Sequence, residues 1–145
     1  MELYLIRHAE ALDGVPDEAR PLSSEGWKTL RRAVKTLDHL GIRWDRLLHS
    51  PLRRAVETAE ALMPLVRGES EVAPWLAHPW QELPPLTGER VALVGHQPWL
   101  GELVSWLWRG EREEFPIRKG GLVWLKGSWQ RGGMELLALI PPQWW

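Results

Sequence analysis

An α/β fold is predicted for this chain: a three-layer sandwich whose mostly parallel central sheet is flanked by helices, with a C-terminal hairpin. Three observations carry that expectation. Short apolar runs (ELYLI, WDRLLH, RVALVG) alternate with longer segments of helical period, which is the pattern of strands joined through crossover helices. The runs are brief and contain branched or aromatic side chains, as buried strands do. Two last runs, LVWLKG and MELLALI, are separated by a Gly-rich stretch and read as a hairpin.

Residues 2–6 form the first expected strand, and the Asp, Gly and Pro of AEALDGVPDEARP then predict a loop. In LSSEGWKTLRRAVKTLDHLG, Ser23 is a cap candidate, Glu25 stands in the first turn, and Trp27, Leu30, Val34 and Leu37 recur at helical spacing up to Gly41. A second strand is expected around Arg46 to Leu48. SPLRRAVETAEALMPLV gives the clearest helix, with Ser50 expected as N-cap, Pro51 at the first helical position, and Leu52, Ala55, Val56, Ala59, Leu62, Met63 and Val66 on one face. A third short strand is expected at 71–73. PWLAHPWQELPPLTGE holds four prolines and no usable period, so it reads as a long loop of the kind that covers a site. RVALVGH is a further buried strand, and QPWLGELVSWLW a helix opened by Pro98 with Leu100, Leu103, Val104 and Leu107 inward.

The totals limit the function. With 145 residues and 44% hydrophobic content, the chain has the size of one domain spanning residues 1–145. A formal charge of −1 gives no global attraction to nucleic acid or an anionic membrane, so any affinity for phosphate must be local. Cysteine is absent, which excludes disulfides, thiolate metal sites and cysteine nucleophiles. No apolar run reaches the ~20 residues of a membrane span and the first residues lack the pattern of a signal peptide, so a cytoplasmic protein is expected. Eleven tryptophans accompany one Phe and one Tyr. Trp75, Trp80 and Trp99 are expected on a pocket wall, where they would favour a flat or apolar substrate. Exposed Trp144 and Trp145 with the hairpin offer a dimer contact, leaving monomer and homodimer both open.

Ligands in open parallel sheets gather beyond the carboxyl ends of the strands. Three such ends here carry reactive groups: Arg7 and His8, Ser50 to Arg54, and Gly95 and His96. Arg53 and Arg54 fall in the first turn of a helix, where the macrodipole disfavours cations by roughly 0.3 to 1 kcal/mol each. A bound anion reverses that sign, because free N–H groups and a guanidinium together make a phosphate cradle. His8 and His96 each read either as hydrogen-bonded structural residues or as catalysts. Flanking Arg7 is expected to hold His8 neutral, with a ring lone pair free for nucleophilic attack. Gly95 would let the backbone approach a ligand, or simply end a strand.

LIRHAEA, SPLRRAVETA and LVGHQP resemble, in order and spacing, the Arg-His, Ser-Pro-x-x-Arg-Ala and Gly-His motifs of the histidine phosphatase superfamily, which also contains cofactor-dependent phosphoglycerate mutase. DEARPLSSEG is similar to a segment of its short branch, typified by the SixA phosphohistidine phosphatases. The resemblance implies two-step phosphoryl transfer without metal or cofactor: His8 takes the phosphoryl group, water then releases it, and Arg7, Arg54 and His96 surround the equatorial oxygens. Arg54 rather than Arg53 carries over, because it directly precedes Ala55. Arg20, Ser50 and Gly95 are candidate substrate contacts, Ser50 capping the helix first. The family's catalytic glutamate has no clear counterpart, so Asp17 and Glu82, with His78, are the candidates for the proton donor. An imidazole or an already acidic leaving group would need less help from one.

The expected partner is thus a phosphorylated small molecule or a protein carrying phosphohistidine. Two other enzyme readings stand beside a phosphatase: a metal site built from His8, Glu10, Asp13, His78 and His96, disfavoured by the neighbouring Arg7, and a small phosphoglycerate mutase-like enzyme. A module that binds phosphorylated ligands without turnover would need the same cradle.

Overall fold

The computed structural model describes residues 1–145. All six strands lie in one sheet: β1 (Glu2–Arg7), β2 (Trp44–His49), β3 (Val66–Val72), β4 (Arg90–Gly95), β5 (Leu122–Gly127) and β6 (Met134–Ile140), in the spatial order β3-β2-β4-β1-β5-β6. The first four strands are mutually parallel, and β5 and β6 add the antiparallel hairpin beside β1. The expected sandwich is therefore what the chain forms.

Helices α1 (Ser24–His39) and α2 (Arg53–Leu62) cover one face, where Leu30, Leu37, Ala55, Ala59 and Leu62 pack on Tyr4, Ile6, Leu47, Ala92 and Val94. Helix α3 (Trp99–Arg109) covers the other, with Leu100, Leu103, Val104 and Leu107 on Leu3, Leu5, Val91, Leu93, Val123 and Leu125. Successive residues of β1 thus alternate between two dry cores. That is why the central strands read as unbroken apolar runs rather than as alternating ones. No helix is long and apolar enough to cross a membrane.

Local chemistry sets the helix starts. Ser23 caps α1 as expected, its hydroxyl accepting the Gly26 N–H at 3.1 Å. Gly26 is required there, because a Cβ would stand 2.2 Å from the Glu10 carbonyl oxygen. This close approach presses the loop that follows β1 onto α1. For α2 the expected cap is corrected. The N-cap is Leu52, and the helix opens at Arg53 rather than at Pro51. Ser50 instead accepts the Leu52 N–H at 3.1 Å from outside the helix, and its hydroxyl also lies 2.7 Å from His96 Nε2.

The third strand is longer than the expected 71–73. Val66–Val72 pairs along β2 at the edge of the sheet, with Arg67 through Val72 exposed. An edge strand with both faces in water carries no apolar period to read. The tryptophan expectations divide. Trp144 is 75% exposed, whereas Trp80 is buried and donates its indole N–H to the Trp99 carbonyl at 3.3 Å. With Leu76, Leu100 and Leu103, the side chains of Trp75, Trp80 and Trp99 close a recess of about 10 Å³. That volume holds no more than one water, so the recess itself admits no substrate; Trp80 belongs to the core, and half-buried Trp75 and Trp99 pack against it.

Candidate active site

Strand register assembles the site. Arg7 pairs with Gly95 across β1 and β4, His49 pairs with Val94 across β2 and β4, and the Ser50 N–H reaches the Val94 carbonyl at 3.1 Å. Three neighbouring strands therefore end level, and His8, Ser50 and His96 leave them side by side. The His8 and His96 ring centroids are 5.1 Å apart.

His8 is 5% exposed, and its Nδ1 lies 2.8 Å from the Ala9 carbonyl oxygen. A carbonyl only accepts, so Nδ1 carries the proton and Nε2 keeps its lone pair. Burial lowers the His8 pKa from 6.5 to about 3; the Ala9 hydrogen bond opposes that, while His96, Arg54 and Arg7 add to it. Its neutrality thus comes mainly from lost hydration, and the adjacent Arg7, expected from the sequence to be responsible, is the smallest of these influences. His96 is lowered to about 4, first by burial and then by Arg54, with Asp17 opposing and Arg7 adding a little. Both imidazoles are uncharged at neutral pH.

Arg54 is buried and extends from the first turn of α2 to the loop after β1, donating to the Asp17 carbonyl oxygen at 2.9 Å and to Asp17 Oδ2 at 3.2 Å. Arg53, by contrast, is exposed and pairs with Glu57 one turn along at 3.4 Å. Arg7 donates to the Ile117 carbonyl oxygen at 2.9 Å, and its buried Nε has no partner. Burial lowers the Arg7 pKa without bringing a carboxylate to it. On its outer side Arg7 lines an open cleft with Gln97, Pro98 and residues 114–118.

Residues 3–77 match the family model of the histidine phosphatase superfamily, branch 1. The chain belongs to this superfamily. An uncharacterized protein of Picosynechococcus sp. is 31% identical to it over 99% of this chain and 98% of its own length. The mitochondrial serine/threonine-protein phosphatase Pgam5 of Drosophila mojavensis is 42% identical over 62 residues, which are 42% of this chain and 22% of the fly protein. Among solved structures, the protein histidine phosphatase SixA complexed with tungstate superposes with a TM-score of 0.83 at 23% identity, over 99% of this chain and 98% of its own. The α-ribazole phosphatase from Shigella flexneri gives 0.78 at 20% identity, over 98% and 97%. At such identities these two establish a shared fold.

The other expected residues of this superfamily member fall out unevenly. Asp17 is exposed and is bound by Arg20 at 3.0 Å as well as by Arg54. The hydrogen bond from Arg20 and the charge of Arg54 lower its pKa, so the resting carboxyl is ionised and holds no proton to give. Arg20 also donates to the Leu12 carbonyl at 2.8 Å, which makes it an organiser of the loop. Glu82 is exposed and forms no hydrogen bond or ion pair with any of these groups, and His78 is exposed beyond β3. Gly95 accepts the His8 N–H on its carbonyl at 3.1 Å, and a Cβ there would meet Leu100 at 3.4 Å and the Leu76 carbonyl at 3.5 Å. His8, Glu10, Asp13, His78 and His96 do not gather: no three His, Cys, Asp or Glu side chains group to hold a metal ion.

Two contributors escape the sequence reading. Thr58, wholly buried in α2, donates to the Arg54 carbonyl at 2.7 Å and accepts the Ala9 N–H at 3.1 Å, tying the arginine's helix to the residue whose carbonyl orients His8. A threonine inside a helix bonding back to residue i−4 is the available signal. The second is the segment RGEREEFPIRKGG, residues 109–121, which leads from α3 to β5. Its Ile117 carbonyl holds Arg7, and the N–H of Gly120 reaches the carbonyls of Arg7 and His8 at 3.0 and 3.1 Å. Gly120 has φ of +80°, a conformation that glycine adopts without steric cost.

Proposed function

We propose that this chain is a metal-independent phosphatase that carries the phosphoryl group on His8. The observation that supports it best is the His8 imidazole itself: proton fixed on Nδ1 by Ala9, Nε2 bare, and two guanidinium groups close enough to lower its pKa. In the first step the Nε2 lone pair attacks phosphorus while the bond to the leaving group breaks and its electron pair departs with that group. Water then attacks phosphorus, the P–Nε2 bond breaks, and inorganic phosphate leaves with Nε2 restored. Arg7, Arg54 and His96 donate to the equatorial oxygens throughout, Arg54 exchanging the Asp17 carboxylate for phosphate.

The choice of substrate follows from the proton inventory. Neither Asp17, ionised, nor Glu82, exposed and bonded to none of the site's groups, holds a proton ready for a departing alkoxide. We therefore favour leaving groups that need no proton from the enzyme: the imidazole of a phosphohistidine on a protein, whose second ring nitrogen takes its proton from water beforehand so that neutral imidazole departs, or the acidic oxygen of an activated monoester. The printed description of the SixA neighbour as a protein histidine phosphatase is in keeping with this.

The test has two parts. Brief incubation with a ³²P-labelled phosphoramidate followed by alkaline quench should leave acid-labile label on His8, and turnover should survive EDTA. No label and no phosphate released from any phosphorylated compound would leave a phospho-ligand-binding module. Loss of activity to EDTA, restored by one metal, would point to a metal enzyme. Across a series of aryl phosphates, the rate should fall steeply as the leaving group becomes more basic; a flat dependence would mean that a proton donor is present after all.

A further inference from the structure

We infer that Ser50 is a positioning residue that fixes His96 in the Nδ1–H tautomer, so that His96 meets the phosphoryl group as a neutral hydrogen-bond donor. The role assigned to the phosphoryl group rests on the function proposed above; the tautomer does not.

Ser50 is fully buried, and its hydroxyl has two neighbours within hydrogen-bond distance. The Leu52 N–H, 3.1 Å away, can only donate, so it occupies one lone pair of Oγ. His96 Nε2 lies 2.7 Å away on the other side and is the sole acceptor in reach of the hydroxyl proton. The hydroxyl therefore donates to Nε2. A neutral imidazole that accepts at Nε2 carries its proton on Nδ1.

His96 Nδ1 supplies the independent observation. It is buried and has no partner in the protein, one of four buried side-chain nitrogens in that condition. Two of the four are the indoles of Trp44 and Trp124; the other two are Arg7 Nε and His96 Nδ1, both in the site. A buried N–H without an acceptor is costly, and native structures seldom keep one without a reason. Two in one cradle are donors awaiting an acceptor. The opposite tautomer leaves the Ser50 hydroxyl proton unsatisfied in a dry position and presents a lone pair to an anionic oxygen.

His8 and His96 then hold the same tautomer to opposite ends. His8 buries its N–H on the Ala9 carbonyl and leaves a lone pair free, whereas His96 buries its lone pair on the Ser50 hydroxyl and leaves an N–H free. One ring is equipped to attack and the other to donate. Each role is set by a neighbouring group, the Ala9 carbonyl for one ring and the Ser50 hydroxyl for the other.

The experiment is a long-range ¹H–¹⁵N spectrum of imidazole-labelled protein at neutral pH without phosphate, His96 being assigned by its loss in His96→Gln. The wild type should show a pyrrole-like Nδ1 and a pyridine-like Nε2. Ser50→Ala should shift His96 toward the Nε2–H form that free histidine prefers, and Ser50→Thr should restore the original pattern. Titration with inorganic phosphate should give a Kd about tenfold weaker for Ser50→Ala, recovered in Ser50→Thr. An Nε2–H His96 in the wild type overturns the inference, as does Ser50→Ala with unchanged tautomer and unchanged affinity. Should Ser50→Ala fail to fold, the wild-type spectrum decides alone. That spectrum needs no turnover, so failure of the phosphatase reading is seen separately, in the labelling experiment.

Discussion

The two ends of the parallel sheet carry similar residues and treat them differently. At the amino end charges are matched: Arg90 meets Glu2 at 3.1 Å, Arg43 meets Asp38, and both oxygens of Asp45 accept backbone N–H groups of Glu89 and Arg90 at 3.0 Å. At the carboxyl end Arg7 has only a carbonyl, Arg54 has as carboxylate only the exposed Asp17, and Arg20 shares that carboxylate while reaching Asp13 at 3.9 Å. Two buried nitrogens there have no partner. Pairing at the first end serves the fold. The deficit of negative charge at the second is what an incoming phosphate would correct, and it is concentrated where the helix dipole of α2 adds to it.

Substitutions at the unmatched end should therefore damage chemistry, and those at the matched end only stability. The largest effect is expected for His8→Ala, which should lower turnover by about 10³-fold or more while circular dichroism stays unchanged. Activity close to wild type would remove the nucleophile from the site. Arg54→Ala comes next: the inhibition constant for vanadate should rise by about 10- to 100-fold, as befits a lost charge-assisted hydrogen bond.

Acid should separate the two ends as well. The folded pKa values of His8 and His96, about 3 and about 4, lie below the ordinary 6.5, so between those limits the unfolded chain binds more protons. Stability from keeping these rings neutral is complete above pH 6.5 and is lost as pH falls toward 4 and 3. Urea midpoints should drop over that window in the wild type and drop less in His8→Gln/His96→Gln; parallel curves would mean that neither ring is buried uncharged.

Smaller changes sharpen the contrast. Asp17→Asn removes the carboxylate that occupies Arg54, and vanadate should then bind about threefold more tightly. Weaker binding would make Asp17 a support for the arginine rather than a rival to the ligand. Arg90→Gln, at the matched end, should cost no more than about 1 kcal/mol of stability and leave vanadate inhibition unaltered.

Much of this was legible in the sequence because strand ends and helix starts are local signals. Arg7, His8, Arg54 and His96 are each placed by an apolar run or a helical period beside them, and the structure brings all four together. Residues whose role is set by a distant partner were not legible. Ser50 looked like a helix cap until His96, 46 residues away, drew its hydroxyl. Likewise no local signal marks Ile117 and Gly120, which hold the Arg7 side chain and the backbone carbonyls of positions 7 and 8. Asp17 was legible as an acid; its two arginine partners, which keep it ionised, were not.

The strand order has a last consequence. Because β2, β4 and β1 lie side by side though far apart in the chain, His8, Ser50 and His96 meet only after residues 2 to 96 have closed on one another. A nascent chain ending before Gly95 possesses His8 but no pocket around it. Catalytic competence thus arrives together with native structure, and an anion held in that pocket raises the melting temperature by mass action.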